Sequence, residues 1–204
     1  MITVDINIHS QNKRKILSGN EQFTYNGKPL NTVFSDFAMW FASDFLDISI
    51  RGPLAEYIVA RALGIDFAEA RSDNQGYDLK YRGKCIEIKS SAYIQAWEQT
   101  RPSKISFSIR KAQEKDGWNY ESEKRNPEKK RHSAAYVFCL YKYHDKETAN
   151  PLMLDYWDFF VLPTKKIDEL CGDQKSLSIK RLLELNPIQC SYDGIKAAVD
   201  SVIL

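Results

Sequence analysis

The stretch that decides the fold of this chain is Gly76-Tyr-Asp-Leu-Lys-Tyr-Arg-Gly-Lys-Cys-Ile-Glu-Ile-Lys-Ser90. Residues 77–81 and 84–90 both have the composition and alternation of β-strands. Arg82-Gly83 between them predicts a tight turn, because glycine readily adopts the backbone angles that a two-residue hairpin loop requires. The stretch therefore predicts an antiparallel hairpin.

The register of this hairpin brings three charged side chains together. A two-residue turn pairs Tyr81 with Lys84, and counting back places Asp78 opposite Glu87. A four-residue loop keeps this pairing, whereas a three-residue loop breaks it. Strand alternation puts Lys89 on the face of Glu87 and turns the isoleucines to the other face. Two carboxylates held this close favour a hard divalent cation such as Mg²⁺, which takes one or two carboxylates plus waters and phosphate oxygens.

An Asp, a short gap and a Glu-x-Lys on the next strand resemble the signature of the PD-(D/E)XK nucleases, the restriction-endonuclease-like superfamily. Asp78 matches the first acid and Glu87-Ile88-Lys89 the second half, while Tyr77 stands in place of the proline that names the family. The resemblance implies an α/β fold with a restriction-endonuclease-like core, in which helices flank a mixed central β-sheet. It also implies that Asp78, Glu87 and Lys89 are catalytic. The implied cofactor is Mg²⁺ or Mn²⁺, bound by the two acids and the backbone carbonyl of Ile88.

Members of this family have a helix with an inward-facing Glu before the Asp strand, and residues 52–64 predict such a helix. Pro53 suits its first position, and Gly64 suits its C-terminal stop. Glu56 borders the apolar face and has no basic residue three or four positions later. Two interpretations stay open for Glu56. It is either a first-turn acid stabilised by the helix dipole or, as the resemblance implies, a further carboxylate at the metal.

The resemblance implies an endonuclease that hydrolyses phosphodiester bonds, with DNA as the expected partner. Lys89 would act either as a base or as an electrostatic stabiliser of the transition state. We expect substrate contacts from Ser90, Gln95, Arg101 and Lys104, which follow the signature closely. The alternative function is a non-catalytic nucleic-acid-binding or assembly subunit with the same fold, and the alternative for the three charged residues is an ordinary surface ion pair on a strand.

Two aromatic residues, Tyr93 and Trp97, follow the signature as well. Their rings could stack on a nucleic-acid base, but a spacing of four is also typical of the packed face of a helix. Basic residues cluster over 101–111 and again over 124–131, where interspersed glutamates favour a solvated loop equally.

The composition sets wider bounds. The net charge is only +2, so any nucleic-acid binding must come from local patches rather than from overall charge. The four cysteines have no zinc-binding spacing, and we expect small buried side chains in a reducing compartment. No apolar run approaches the roughly 20 residues of a membrane span. We therefore expect a cytoplasmic protein with no membrane partner. Cutting both DNA strands would need two active sites, which a homodimer would supply.

The remaining pattern predicts the order of the elements. We expect residues 1–30 to form a small N-terminal β extension, with an Asn26-Gly27 hairpin, and residues 31–204 to form the nuclease-like domain. A helix over 31–46 would bury its aromatic residues. Strands are predicted over 105–109, 135–141 and 158–162, and helices over 164–171, 178–185 and 192–204; the first of these helices would be capped by Thr164.

Overall fold

The computed structural model describes residues 15–68, 70–71, 77–113 and 129–204. The strands in these ranges are β1 (Gln22–Tyr25), β2 (Lys28–Val33), β3 (Leu79–Tyr81), β4 (Lys84–Ala92), β5 (Ser106–Ser108), β6 (Ala112–Gln113), β7 (Lys129–Lys130), β8 (Ala135–Tyr141), β9 (Trp157–Pro163), β10 (Ser176–Ser178) and β11 (Ile188–Cys190). The α-helices are α1 (Phe34–Ala42), α2 (Ile48–Ala62), α3 (Thr164–Cys171), α4 (Ile179–Glu184) and α5 (Ile195–Ile203).

The chain divides into two compact units, residues 1–40 with 67–73 and residues 41–66 with 74–204. In the first unit, β1 and β2 form the predicted hairpin, and Asn26 and Gly27 have the positive φ angles of its turn, 50° and 72°. The first part of the predicted β extension, residues 1–14, lies outside the described residues.

The aromatic helix α1 differs from its prediction in two respects. It begins at Phe34, because β2 occupies the chain as far as Val33. None of its residues is buried, and Trp40 is 80% exposed, so the predicted core packing of its aromatic residues is wrong. The periodicity of large apolar residues identified the helix but did not show whether anything would cover it.

A five-stranded sheet forms the centre of the second unit, in the order β11-β9-β8-β4-β3. β4 and β8 are parallel, and the other neighbours are antiparallel. Every residue of β8 is buried, as its continuous apolar run predicts. The second unit is thus an α/β structure with a mixed central sheet and flanking helices.

Each face of this sheet has its own apolar core. Helices α2 and α5 cover one face, where Val59 and Val199 pack with Ile86, Ile88 and other strand residues. Helices α3 and α4 and the short β5–β10 ribbon cover the other face, whose core includes Tyr136 and Phe138. By strand alternation, Glu87 and Lys89 lie on the second face.

Helix α2 begins one turn earlier than predicted. The side chain of Asp47 accepts a hydrogen bond from the backbone N–H of Ser49 at 2.7 Å and caps the helix there. Pro53 therefore lies inside the helix rather than at its first position. The predicted end is confirmed, because Gly64 adopts a φ of 71° and the N–H of Ile65 bonds to the carbonyl of Ala60.

The predicted strand over 135–141 and helix over 164–171 are confirmed at both ends, and the remaining strand and helix predictions are confirmed with shifted ends. β4 runs to Ala92 instead of ending at residue 90, and β3 begins at Leu79 instead of residue 77. Thr164 is the first residue of α3 and not its cap, a position that Pro163 takes without a side-chain hydrogen bond. The four cysteines are free thiols. Within the described ranges, no helix combines the length and apolarity needed to cross a bilayer.

Two glycine substitutions test the hairpin turn. Gly83 has a φ of 76°, and a Cβ there would meet no atom within 4 Å apart from its chain neighbours. We expect Gly83→Ala to lower the free energy of unfolding by about 1–2 kcal/mol, because the left-handed conformation strains any L side chain. Gly52→Ala is the comparison: alanine favours the helix, but its Cβ meets the ring of Pro53, so the change should stay within about 0.5 kcal/mol. Urea unfolding with an unchanged m value measures both, and equal losses would contradict this account.

Candidate active site

The hairpin that positions the candidate site has the predicted two-residue turn. Arg82 and Gly83 both have positive φ, 48° and 76°, as a type I′ turn requires. Tyr81 pairs with Lys84 and Leu79 with Ile86, which is the predicted register.

Asp78 lies at the point where β3 leaves β4. Its N–H donates to the carbonyl of Ile86 at 3.2 Å, and its carboxylate Oδ2 accepts from the N–H of Ile88 at 2.6 Å. The side chain thus replaces a strand partner for the backbone of Ile88. The same hydrogen bond holds the carboxylate beside the next residues of β4.

The ammonium of Lys89 joins the two acids of the signature. Its Nζ donates to Glu87 Oε1 and lies 3.8 Å from Asp78 Oδ2. These three side chains are each 20–27% exposed, so a solvent-borne ligand can approach the cluster. The structure therefore brings together Asp78, Glu87 and Lys89, as the hairpin register predicts.

Two further residues contact or face Glu87, one on β8 and one just before it. The sequence analysis did not predict a role for either of them. Ser133 Oγ donates to Glu87 Oε2 at 3.3 Å. Tyr136 lies opposite Glu87 in the β4–β8 pairing and is buried. Burial and then the negative charge of Glu87 raise the pKa of the Tyr136 phenol above its ordinary value. Only the strand order identifies these neighbours, because both lie more than forty residues from Glu87 in sequence.

Arg131 is buried, which differs from both alternatives that the sequence leaves open for the basic cluster over 124–131, a nucleic-acid contact and a solvated loop. Its guanidinium pairs with Asp168, and it also donates to the carbonyls of Ile109, Gly172 and Gln174 at 2.8–3.2 Å. These bonds commit the guanidinium to the protein interior. Arg131 therefore anchors the chain where the β6–β7 pair ends, next to Ser133. Its guanidinium is not available to a nucleic-acid backbone.

The other two predicted metal ligands, Glu56 and the backbone carbonyl of Ile88, lie on α2 and on β4. Glu56 is half-buried on α2, a helix that packs on the sheet face opposite to Glu87 and Lys89. Among the described residues, no three His, Cys, Asp or Glu side chains form a group that could hold a metal ion. The structure thus offers two carboxylates, Asp78 and Glu87, and the roles of Glu56 and the Ile88 carbonyl stay predictions.

Two of the predicted substrate contacts lie on β4 and just after it. Ser90 is inside β4, and alternation places it with Ile88 on the face that α2 covers. Gln95 is only 5% exposed; its Oε1 accepts from Arg51 at 3.0 Å, and its Nε2 donates to the carbonyl of Ala92 at 2.8 Å. The Gln95 amide thus has protein partners for both of its polar atoms, and a substrate contact by Ser90 or Gln95 stays a prediction.

Arg101 and Lys104 remain candidates for substrate contact. Both are exposed, and both lie in the loop between β4 and β5. In the part of the chain that the structure describes, neither side chain takes part in an ion pair.

Comparison with protein-family models, with curated proteins and with solved structures found no match to this chain.

The dual role of Asp78 gives a prediction on stability. Asp78→Asn keeps an oxygen that can accept from the N–H of Ile88, whereas Asp78→Ala leaves that N–H without its partner. We expect the alanine variant to lose about 1–3 kcal/mol of unfolding free energy and the asparagine variant distinctly less. Urea titration of the two variants measures the difference, and equal losses would mean that the Ile88 hydrogen bond does not stabilise the hairpin.

Proposed function

We propose that this chain is a divalent-metal-dependent endonuclease that hydrolyses phosphodiester bonds in DNA, built on a restriction-endonuclease-like core. The observation that carries the proposal is the contact of one ammonium, Lys89, with both carboxylates of the hairpin, Asp78 and Glu87. A mixed sheet with flanking helices supports the proposed core. The sequence signature and this side-chain cluster agree on the same three residues.

The donor set fits a hard cation such as Mg²⁺ or Mn²⁺. Mg²⁺ needs only one or two protein carboxylates, because waters and substrate phosphate oxygens complete its octahedron. Asp78 and Glu87 would hold it, and both are oriented by protein donors, the N–H of Ile88 and the hydroxyl of Ser133. Glu56 and the carbonyl of Ile88 are further proposed ligands. When bound, the cation supplies charge neutralisation at the phosphate and a lower pKa for water.

Lys89 has the position of an electrostatic catalyst. Its ammonium is held by two carboxylates at a partly exposed site, so it carries its positive charge to where a phosphate would approach. Such a charge stabilises the negative oxygens that develop during phosphodiester cleavage. The hydroxyl of Ser133 donates to Glu87, and the buried Tyr136 lies opposite Glu87 in the pairing of β4 with β8.

Substitution of Lys89 tests the proposed reaction. Lys89→Ala should lower Mg²⁺- or Mn²⁺-dependent cleavage of plasmid and single-stranded DNA at least about 100-fold, because a transition-state charge partner is lost. Binding of the same DNA, measured in Ca²⁺, should change little. Lys84→Ala is the matched control, since Lys84 is an exposed lysine on the same strand.

Two results of this experiment would count against an enzyme. Unchanged cleavage by Lys89→Ala would remove the lysine from the reaction. Salt-sensitive DNA binding by the wild-type chain without cleavage in either metal would favour the alternative, a non-catalytic nucleic-acid-binding or assembly subunit.

The hydroxyl of Ser133 gives a second test. Ser133→Ala removes the donor to Glu87 Oε2 but none of the proposed metal ligands. We expect the Mg²⁺ concentration for half-maximal cleavage to rise about tenfold, because outer contacts orient metal-binding carboxylates. Saturating Mg²⁺ should restore most of the rate. A lower rate at every Mg²⁺ concentration, with no shift in the half-maximal value, would contradict this role.

A further inference from the structure

One large aromatic side chain stays exposed on a tightly braced loop. Trp97 is 55% exposed and lies in the loop that follows β4, the strand that carries Glu87 and Lys89. Trp157, in contrast, is buried: it is 1% exposed and donates its indole N–H to the carbonyl of Pro151. Residues 93–104 form no helix, so helical packing does not explain the spacing of Tyr93 and Trp97.

The loop closes on itself through hydrogen bonds. The N–H of Ser103 donates to the carbonyl of Tyr93 at 2.8 Å, which brings the two ends together. Gln99 spans the interior: its Oε1 accepts from the N–H of Gln95 at 2.6 Å, and its Nε2 donates to Tyr93 and to Ser103. Such a network fixes the loop before any ligand arrives.

Two other segments brace the same loop from outside. The buried guanidinium of Arg51, on α2, donates to Gln95 Oε1 at 3.0 Å. The ammonium of Lys146 donates to the carbonyls of Ala96 and Trp97, both at 2.8 Å. Lys146 follows β8, and the loops after the parallel strands β4 and β8 leave the sheet at the same end. The backbone on both sides of the exposed indole is thus held in place.

The chemistry around Trp97 favours a ligand that combines flat rings with negative charge. Arg101 and Lys104 are exposed on the same loop, and Glu98 is the one acid between residues 93 and 104. Tyr93 is already stacked on His144, with ring centroids 4.4 Å apart, so Trp97 is the aromatic face that the loop presents. Bases stack on such faces whatever their identity, and cations beside them follow the phosphate backbone.

We propose that Trp97 is a stacking platform for an unpaired base, and that Arg101 and Lys104 bind the adjoining phosphates of a single-stranded nucleic acid. This inference rests on the proposed function and adds the substrate class, a strand with at least one unpaired base near the site. Duplex DNA keeps its bases stacked inside the helix and offers no such face to the indole. Pre-ordering of the loop lowers the entropy that binding would otherwise cost.

Binding is tested in the full chain carrying Asp78→Asn, so that no substrate is cut during the measurement. The probes are an oligothymidylate of about 16 nucleotides and a duplex of equal length. Trp97→Ala should weaken oligothymidylate binding about tenfold and leave duplex binding within about twofold, while Trp97→Phe should keep most of the affinity. Leu152→Ala is the control, because Leu152 is 57% exposed on a different loop.

The salt dependence of the affinity distinguishes the contribution of base stacking from that of the basic side chains. Trp97→Ala should lower the affinity without changing the slope of log K against log salt concentration, whereas Arg101→Ala should reduce that slope by about one. Equal affinity of the Trp97→Ala variant for oligothymidylate would overturn the proposal. So would an equal loss for both probes, no rescue by phenylalanine, or no oligothymidylate binding by the parent.

These experiments distinguish failure of the proposed stacking platform from failure of the proposed nuclease function. Plasmid cleavage by the wild-type chain together with unaltered binding by Trp97→Ala would refute the platform and leave the endonuclease standing. Selective loss of oligothymidylate binding without cleavage by the wild-type chain would do the reverse.

Discussion

The organisation of the candidate site depends on one hydrogen bond, from the N–H of Ile88 to the carboxylate of Asp78. β4 is paired along its length by β8, but β3 accompanies it for only three residues. Beyond that point the backbone of β4 needs other partners, because an unpaired buried N–H is costly. A side chain meets this need, and its charge is therefore held next to Glu87 and Lys89. The hydrogen bond that gives the backbone of β4 its missing partner is therefore the same one that positions the charged side chains.

The two sheet faces explain which groups can reach that cluster. Alternation along β4 sends Ile86 and Ile88 into the core beneath α2, and sends Glu87 and Lys89 to the side of Tyr136. Tyr136, which lies opposite Glu87 on β8, is on this second face, and Ser133 reaches Glu87 from the residues just before β8. Glu56 belongs to α2, the helix that covers the first face.

The sequence was sufficient where local chemistry determines the structure. The Arg82-Gly83 turn fixes the register of β3 and β4, and Gly64 ends α2 where expected. Long-range packing determines the features that the local sequence does not predict. Nothing local distinguishes Arg131, with four carbonyl and carboxylate partners, from the exposed lysines beside it. Likewise, nothing local predicts that the amide of Gln95 is buried, because its partner Arg51 lies 44 residues away.

The buried guanidinium of Arg131 also has a consequence for how this part of the chain opens. It ties residue 131 to Ile109 and to the end of α3, so one buried side chain joins three segments that are distant in sequence. Any fluctuation that withdraws this side chain releases all three segments together. Their backbone amides therefore belong to one cooperative unit, and they should become exchangeable with solvent in the same opening event.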